Sequence, residues 1–303
     1  LNNSEIDVHL VSTADLIRKI RRLEIRTKNI VNEIFSGEYH SSFRGQGLEF
    51  SEVREYQPGD NYRDIDWNVS ARLGLPFVKK YRETRELNVI FLVDVSASLF
   101  LGTSYALKKE RVAEIVATLA FSAVANGDRC SLIMYSDTLE KYLPPRKGRN
   151  RALEILREIL YHEPKSSRTS LAGACEYAAR ILKKRSVIFL LSDFLDRGFE
   201  KPLGILARKH DVIALQVLDN SDLELPDAGY LRIRDPETGI TECINTGSKK
   251  LRENYKAQTG IRQKQLETEL QSLGCDHLLF MNRDSYVKVL RQFFALRKLR
   301  RKK

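Results

Sequence analysis

The sequence predicts an α/β fold built on a doubly wound, mostly parallel sheet. From residue 87 onward, short apolar segments alternate with longer segments of helical period. Parallel strands need long crossover connections, and helices in those connections cover both faces of the sheet. The predicted strands lie at 88–94, 130–135, 187–192, 212–218 and 277–281. The predicted helices lie at 105–125, 150–161, 170–184, 199–209, 249–273 and 284–299.

Two further segments predict antiparallel pairs. TLEKYLP, at 138–144, follows the predicted strand 130–135 after the short turn YSD. A connection this short joins antiparallel neighbours, so we expect an antiparallel strand at one edge of the sheet. YLRIRDPETGITECIN holds two short strand segments around a turn and predicts a β-hairpin. This hairpin forms an insertion at 226–246, ahead of the helix at 249–273.

Composition divides the chain into an N-terminal amphipathic helix, an extended segment with short strands, the α/β domain and a basic C-terminal tail. These regions span 1–36, 37–86, 87–290 and 291–303, respectively. The helix is predicted because Leu16, Ile20 and Leu23 recur at helical spacing. The extended segment is rich in glycine, arginine, aspartate and aromatic residues, and it contains the turn signal QPGD.

Basic charge is concentrated at the C-terminus. The chain has 51 Lys and Arg against 40 Asp and Glu, a net charge of +11 at pH 7. Seven basic residues and no acidic one lie between Arg291 and Lys303, which leaves only +4 on the other residues. The body is therefore not expected to be a nucleic-acid-binding surface. The tail is expected to be a solvated end, and contact with nucleic acid or an anionic membrane, the alternative, is expected only there.

Segment lengths and cysteine usage predict a cytoplasmic protein, with peripheral membrane contact as an alternative. No apolar run approaches the ~18 residues that span a bilayer, and the start shows no secretory signal pattern. The four cysteines are Cys130, Cys175, Cys243 and Cys275. They are far apart and form no CxxC pair, which predicts reduced thiols rather than a zinc site or a disulfide framework.

The first strand of the α/β domain ends in a run of oxygen-bearing side chains. In FLVDVSAS, at 91–98, an apolar strand passes into Asp94, Ser96 and Ser98 on alternate positions. Surface turns also use Asp and Ser freely, so this run alone predicts either a polar loop or a ligand site. Open α/β sheets bind ligands outside the carboxyl ends of their strands, which is where these side chains lie.

Two later residues favour the ligand site. SVIFLLSDF ends in Asp193 at the same sheet edge, and SSRTSLAGA places Thr169 in a loop just before a helix. With the first loop they provide two carboxylates and three hydroxyls, without sulfur or imidazole. Hard oxygen ligands suit Mg²⁺, Mn²⁺ or Ca²⁺. A divalent cation would also offset the repulsion between the two carboxylates.

These five residues resemble the metal-ion-dependent adhesion site of von Willebrand factor A domains. That motif is D-x-S-x-S on the first loop, then a Thr and then an Asp. It matches Asp94, Ser96, Ser98, Thr169 and Asp193 in order. The resemblance implies a von Willebrand factor A-like fold. It also implies that Ser96, Ser98 and Thr169 contact the ion directly, whereas Asp94 and Asp193 act largely through water.

A longer stretch resembles a bacterial family named domain of unknown function 58. GLEFSEVREYQPGDNYRDIDWNVSARLGLPFVKKYRETRE is similar to the family signature, and LPDAGYLRIRDPETG and FFALR resemble two further family segments. The resemblance covers roughly 37–297. It implies a gene neighbourhood shared with MoxR-type AAA+ ATPases and other von Willebrand factor A domain proteins. The charged and aromatic residues at 44–72 are interpreted either as a partner surface or as a structural ion-pair network.

These features predict a metal-dependent protein-interaction module rather than an enzyme. We expect a partner to supply an acidic residue to the metal, and the resemblance implies a MoxR-type AAA+ ATPase system in which the chain is an adaptor. No catalytic residue and no small-molecule substrate are predicted.

The alternative is a Mg²⁺-dependent hydrolase, because DVSAS is superficially similar to the DxDxT loop of haloacid dehalogenase-type phosphatases. That chemistry needs an acid where Ser96 stands, and the chain has no GxxxxGKS/T or GxSxG motif.

Overall fold

Strands and helices alternate along most of the chain. The computed structural model describes residues 13–31, 43, 48–83, 86–100, 108–235, 239–281 and 284–300. Helices α1 to α9 span Thr13–Ile30, Trp67–Leu73, Lys108–Ala125, Arg149–Tyr161, Leu171–Ile181, Glu200–Lys209, Asn220–Leu223, Lys249–Ser272 and Tyr286–Arg300. Strands β1 to β10 span Leu48–Glu55, Phe77–Glu83, Asn88–Asp94, Arg129–Tyr135, Leu139–Arg146, Val187–Ser192, Asp211–Leu218, Tyr230–Arg234, Thr241–Asn245 and Asp276–Met281. None of these described helices is both long and apolar enough to cross a membrane.

Several predicted regions extend beyond the described residues. The parts that lie outside are 1–12, 32–42, 44–47, 84–85, 101–107, 236–238, 282–283 and 301–303. They include both ends of the predicted N-terminal helical region, the start of the predicted helix 105–125, the turn of the inserted hairpin and the end of the basic tail. Residues 291–300 of the tail belong to α9, and β8 and β9 form the antiparallel hairpin.

Six strands form the main sheet, in the order β10-β7-β6-β3-β4-β5. Neighbours are parallel except β5, which pairs antiparallel with β4 at one edge. This order confirms the predicted fold class, a doubly wound, mostly parallel sheet with one antiparallel edge strand. The order reverses between β3 and β6, because the chain builds one half of the sheet outward from β3 and the other half outward from β6. Open α/β sheets bind ligands at this position.

The central strands are buried on both faces, which explains why their sequences are almost continuously apolar. On one face, Ile90 and Leu92 pack in a core cluster with residues of α5, α6 and α8. On the other, Phe91 stacks on Phe189 with ring centroids 5.8 Å apart. Helix α3 packs against β3, β4 and β7, and α1 packs against α3 and α4. The sheet edge that carries the predicted site is therefore supported by a continuous core.

The chain divides into two compact units, Phe43–Leu87 and the remainder. In the smaller unit, β1 and β2 pair antiparallel, and α2 lies between them in sequence. Asp66 caps α2 by accepting the N–H groups of Asn68 and Val69. Gly74 ends the helix with φ of 72°, a left-handed conformation that glycine adopts without steric penalty.

Ion pairs brace the smaller unit. Arg54 lies 2.6 Å from Asp60, and Lys79 lies 3.4 Å from Asp66. Asp60 also accepts the N–H of Gln57 at 2.9 Å. Within the segment 44–72, Asp60 and Asp66 therefore have structural roles. The domain boundaries given by composition remain predictions.

His210 is a buried imidazole between α6 and β7, with 4% of its surface exposed. Neither of its ring nitrogens has a hydrogen-bond partner among the residues that the structure describes. Burial lowers the pKa of His210, and the charges of Lys209 and Arg185 lower it further. The folded chain therefore keeps this ring neutral at pH values at which the unfolded chain binds a proton.

We predict that His210 contributes a decrease in the free energy of unfolding as the pH falls below about 6.5, the ordinary pKa of histidine. Below that pH the unfolded chain binds a proton at this residue and the folded chain does not, so acidification favours unfolding through His210. Between pH 7.5 and 5.5 the wild type should therefore lose up to about 1.4 kcal/mol of stability relative to His210→Leu, the value of one pH unit. Urea unfolding followed by circular dichroism measures the difference. An equal decrease in both proteins would contradict this role for His210.

Candidate metal centre

The predicted site residues lie at the carboxyl edge of the sheet, where the strand order reverses. Asp94 is the last residue of β3, and Asp193 directly follows β6, the parallel neighbour of β3. Ser96 and Ser98 lie in the loop after β3, and Thr169 lies in the loop before α5. Thr169 is partly buried, and the other four are buried.

The loop after β3 brings its hydroxyl groups together. The N–H of Ser96 donates to Asp94 Oδ1 at 2.9 Å, which turns the chain back towards the strand end. A short 3-10 helix, Ala97–Phe100, follows. The hydroxyl oxygens of Ser96 and Ser98 are 3.1 Å apart. Two oxygens this close form either a hydrogen bond with each other or one side of a cation site.

Ser192, at the end of β6, holds the second oxygen of Asp94. Its hydroxyl donates to Asp94 Oδ2 at 3.0 Å and accepts the N–H of Phe194 at 3.1 Å. Both carboxylate oxygens of Asp94 are therefore bonded to protein groups, which fixes the direction of the side chain. This arrangement is compatible with the water-mediated role that the family resemblance implies for Asp94.

Asp94 and Ser192 belong to a buried polar row that crosses four strands. Asp94 is in register with Tyr135 of β4, and Ser192 is in register with Gln216 of β7. All four are at most 2% exposed. The sequence reasoning missed Tyr135, Ser192 and Gln216 because they lie within or at the end of apolar runs. A polar residue near the carboxyl end of each of these apolar strands is the sequence pattern that could have identified them.

Burial shifts the acidity of this row. Burial and the charge of Asp193 raise the pKa of the Asp94 carboxyl to about 7, although the N–H of Ser96 and the Ser192 hydroxyl oppose the shift. Burial also raises the pKa of the Tyr135 hydroxyl well above its ordinary value. A divalent cation beside Asp94 would favour the charged carboxylate and so remove part of this penalty.

One carboxylate oxygen of Asp193 accepts no hydrogen bond from the described residues. Oδ1 accepts the N–H of Leu195 at 3.2 Å, whereas Oδ2 is buried and has no hydrogen-bond partner in the described part of the chain. The adjoining backbone is held in place, because Gln216 Nε2 donates to the Asp193 carbonyl at 3.0 Å and Phe194 has φ of 57°. A buried polar atom without a partner is costly, so Oδ2 is suited to an added cation or its water.

A buried lysine lies beside Asp193. Lys108, the first residue of α3, is 1% exposed. Its Nζ lies 2.8 Å from Oδ2 of Asp222 in α7 and 3.9 Å from Asp193 Oδ2. The sequence reasoning did not single out Lys108. Its position four residues before Val112 and seven before Ile115, which are buried on the same helix, is the pattern that could have predicted its burial.

The loop that carries Thr169 is attached on both sides of that residue. The N–H of Ala97 donates to the carbonyl of Ser167 at 3.1 Å. The N–H of Ser170 donates to the carbonyl of Ser136 at 2.9 Å. These bonds tie the loop to the one after β3 and to the end of β4. The five predicted residues thus come from one strand end and from loops at one edge of the sheet.

The donor set at this edge fits a hard divalent cation. Among the described residues, no group of three or more His, Cys, Asp or Glu side chains is placed to hold a metal. The candidate centre instead combines serine hydroxyls with the unused oxygen of Asp193. The residues that would hold the ion are Ser96, Ser98 and Thr169, with Asp94 and Asp193 behind them, and this assignment stays a prediction.

Residues 52–265 match the family model described as Protein of unknown function DUF58. The chain belongs to this family. The match confirms the family resemblance in the sequence. One relative, the uncharacterized protein Rv1480 of Mycobacterium tuberculosis, is 33% identical over 228 residues, which cover 74% of this chain and 72% of the relative.

Two solved structures align remotely with this DUF58 chain. The conserved hypothetical protein BatB from Bacteroides thetaiotaomicron has a TM-score of 0.45 at 16% identity, and the alignment covers 70% of this chain and 98% of BatB. The SpRpn10 VWA domain has a TM-score of 0.38 at 11% identity, and the alignment covers 68% of this chain and 95% of that domain.

We predict that Ser192→Ala weakens Mn²⁺ binding roughly 10- to 100-fold, the usual effect of removing a group that orients a metal site. The substitution leaves Asp94 Oδ2 buried without its donor. Ser192→Thr keeps a hydroxyl and should bind Mn²⁺ nearly as tightly as the wild type. Calorimetric titration measures the affinities, and circular dichroism confirms folding. Equal affinity in wild type and Ser192→Ala would show that the site does not depend on this hydrogen bond.

Proposed function

We propose that this DUF58 protein is a metal-dependent protein-interaction module. The observation that carries the proposal is the buried Oδ2 of Asp193, which has no hydrogen-bond partner among the described residues. It lies at the same sheet edge as the paired hydroxyls of Ser96 and Ser98. An unused carboxylate oxygen and two close hydroxyls are the ligand chemistry of Mg²⁺ or Mn²⁺, with Ca²⁺ as an alternative.

The chemistry of the ligands supports recognition of an acidic partner. Ser96, Ser98 and Thr169 would be neutral ligands, Asp94 has both oxygens bonded to protein groups, and Asp193 would add at most one negative charge. A bound ion would therefore keep a strong attraction for one more anionic oxygen. An Asp or Glu side chain from a partner protein supplies such an oxygen, and its contact with the ion would be the centre of the interface.

Family membership supports a proposal for the partner. Because the signature segment resembles proteins encoded beside MoxR-type AAA+ ATPases, we propose that such an ATPase binds this chain. The chain would then be an adaptor or substrate-presenting subunit of a chaperone-like system in the cytoplasm. Other von Willebrand factor A domain proteins are proposed as further partners.

Contacts of α9 weaken the alternative that the basic tail binds nucleic acid or membrane. Arg297 pairs with Asp211 and Asp276, and Arg300 lies 3.3 Å from Asp276. These pairs connect the helix to β7 and β10 and occupy two of the basic side chains of the tail. We therefore do not propose the tail as the principal binding site.

We predict that Ser96→Ala abolishes binding to the MoxR-type ATPase of the same organism, because the variant lacks a metal-facing hydroxyl. Chelation with EDTA should abolish binding by the wild type, and added Mg²⁺ should restore it. Ser272→Ala is the matched control, since Ser272 is exposed and lies at the end of α8. Affinity is measured by biolayer interferometry and folding by circular dichroism. Binding that survives both EDTA and Ser96→Ala would exclude the metal site as the recognition surface.

We further predict that the purified chain hydrolyses neither ATP nor p-nitrophenyl phosphate in the presence of Mg²⁺. Phosphatase chemistry of the DxDxT type needs an acid and base where Ser96 stands, and the Ser96 hydroxyl pairs with Ser98. A colorimetric phosphate assay measures turnover. Turnover that Asp94→Asn abolishes would favour the hydrolase alternative, whereas turnover equal in both proteins would come from a contaminant.

A further inference from the structure

Lys108 is a buried cation at the edge of the proposed metal site. The side chain is 2% exposed, and Asp193 and Asp222 lie near its ammonium group. Lysine is almost never fully buried unless it is paired, because removing its charge from water is costly. The negative charges of the two carboxylates therefore offset the cost of burying the ammonium group. The ammonium in turn reduces the repulsion between the two carboxylates.

The carboxylates of Asp222 and Asp193 lie at different distances from the Lys108 ammonium and interact with it differently. At 2.8 Å, Asp222 Oδ2 forms a hydrogen-bonded ion pair with Nζ. At 3.9 Å, Asp193 Oδ2 is too far for a hydrogen bond, and no other described group bonds to it. The ammonium therefore acts on Asp193 through its charge and leaves the lone pairs of Oδ2 available.

A divalent ion would balance the charges of this group when all three of its carboxyls are ionised. Asp94, Asp193 and Asp222 carry three negative charges when ionised, and Lys108 carries one positive charge. The remainder is −2, which one divalent cation neutralises. Without an ion, the ammonium is the positive charge closest to Asp193 among the contacts of the described residues.

We infer that, when no metal is bound, the Lys108 ammonium partly supplies the positive charge that the metal would supply, and that it thereby lowers the affinity of the site for divalent ions. The inference rests on the proposed function. An ion that enters must share Asp193 with an ammonium of like charge, so binding is weaker than the carboxylates alone would make it. Asp222 has the opposite effect, because it draws the ammonium away from Asp193.

Calorimetric titration of the full chain with Mn²⁺ alone, at pH 8 and low salt, tests this inference. Lys108→Met should bind Mn²⁺ about tenfold more tightly, because the competing charge is gone. Asp222→Asn should bind about tenfold more weakly, because the ammonium then has only Asp193 as a charged partner. Its amide oxygen can still accept the N–H of Asp219, which keeps the cap of α7. Lys109→Met, one residue along the same helix, should bind within twofold of the wild type.

The two substitutions should change the Mn²⁺ affinity in opposite directions. If Lys108→Met does not fold, the affinity of Asp222→Asn alone tests the inference. Affinities of both variants within twofold of the wild type would overturn it. If Ser96→Ala abolishes binding while Lys108→Met changes nothing, this inference fails and the metal site stands. If the wild type binds no Mn²⁺ but Lys108→Met does, the inference is supported and the proposed function is not. If no variant binds Mn²⁺, both are overturned.

Discussion

The hydrogen bond from Ser192 to Asp94 joins two strands that are adjacent in the sheet but 98 residues apart in the chain. It lies where the strand order reverses, so it connects the two halves of the sheet at their common edge. Both strands are buried on both faces. A shift in their register would separate the Asp94 carboxylate from the Ser192 hydroxyl. The core of the sheet therefore fixes Asp94, and the loops of the site are placed relative to it.

At this edge of the sheet, burial and the charge of Asp193 make the ionised form of Asp94 unfavourable when no cation is bound. The pKa of Asp94 is raised to about 7, above the ordinary value of 3.8. A carboxyl whose pKa is higher in the folded chain destabilises the fold as the pH rises from about 4 to 7, because the unfolded chain then gives up its proton more easily. Asp193 adds a buried oxygen without a hydrogen bond in the described part of the chain. Proteins keep destabilising features of this kind mainly at functional sites.

Features that depend on local spacing could be predicted from the sequence, and features that depend on register could not. The short turn after β4 was enough to predict the antiparallel edge strand, and alternation was enough to place Asp94, Ser96 and Ser98 on one loop. Position along the chain could have marked Lys108 and Ser192 as buried polar residues, but not their roles, because each acts through a partner that the fold brings from a distant strand or helix. Charge and hydropathy patterns along the chain contain no information on such pairings.

Weak ligands can hold an ion if the fold has already arranged them. The Asp193 carbonyl is held by Gln216, whose side-chain amide also exchanges hydrogen bonds with Gln263 of α8 and lies 3.1 Å from a ring nitrogen of His277 in β10. The loop after β3 is held by the N–H of Val95, which donates to the Tyr135 carbonyl at 2.8 Å. Much of the entropy of ordering these loops is therefore lost during folding rather than on binding. Neutral hydroxyls would then suffice for the proposed ion, which must remain attractive to a partner carboxylate.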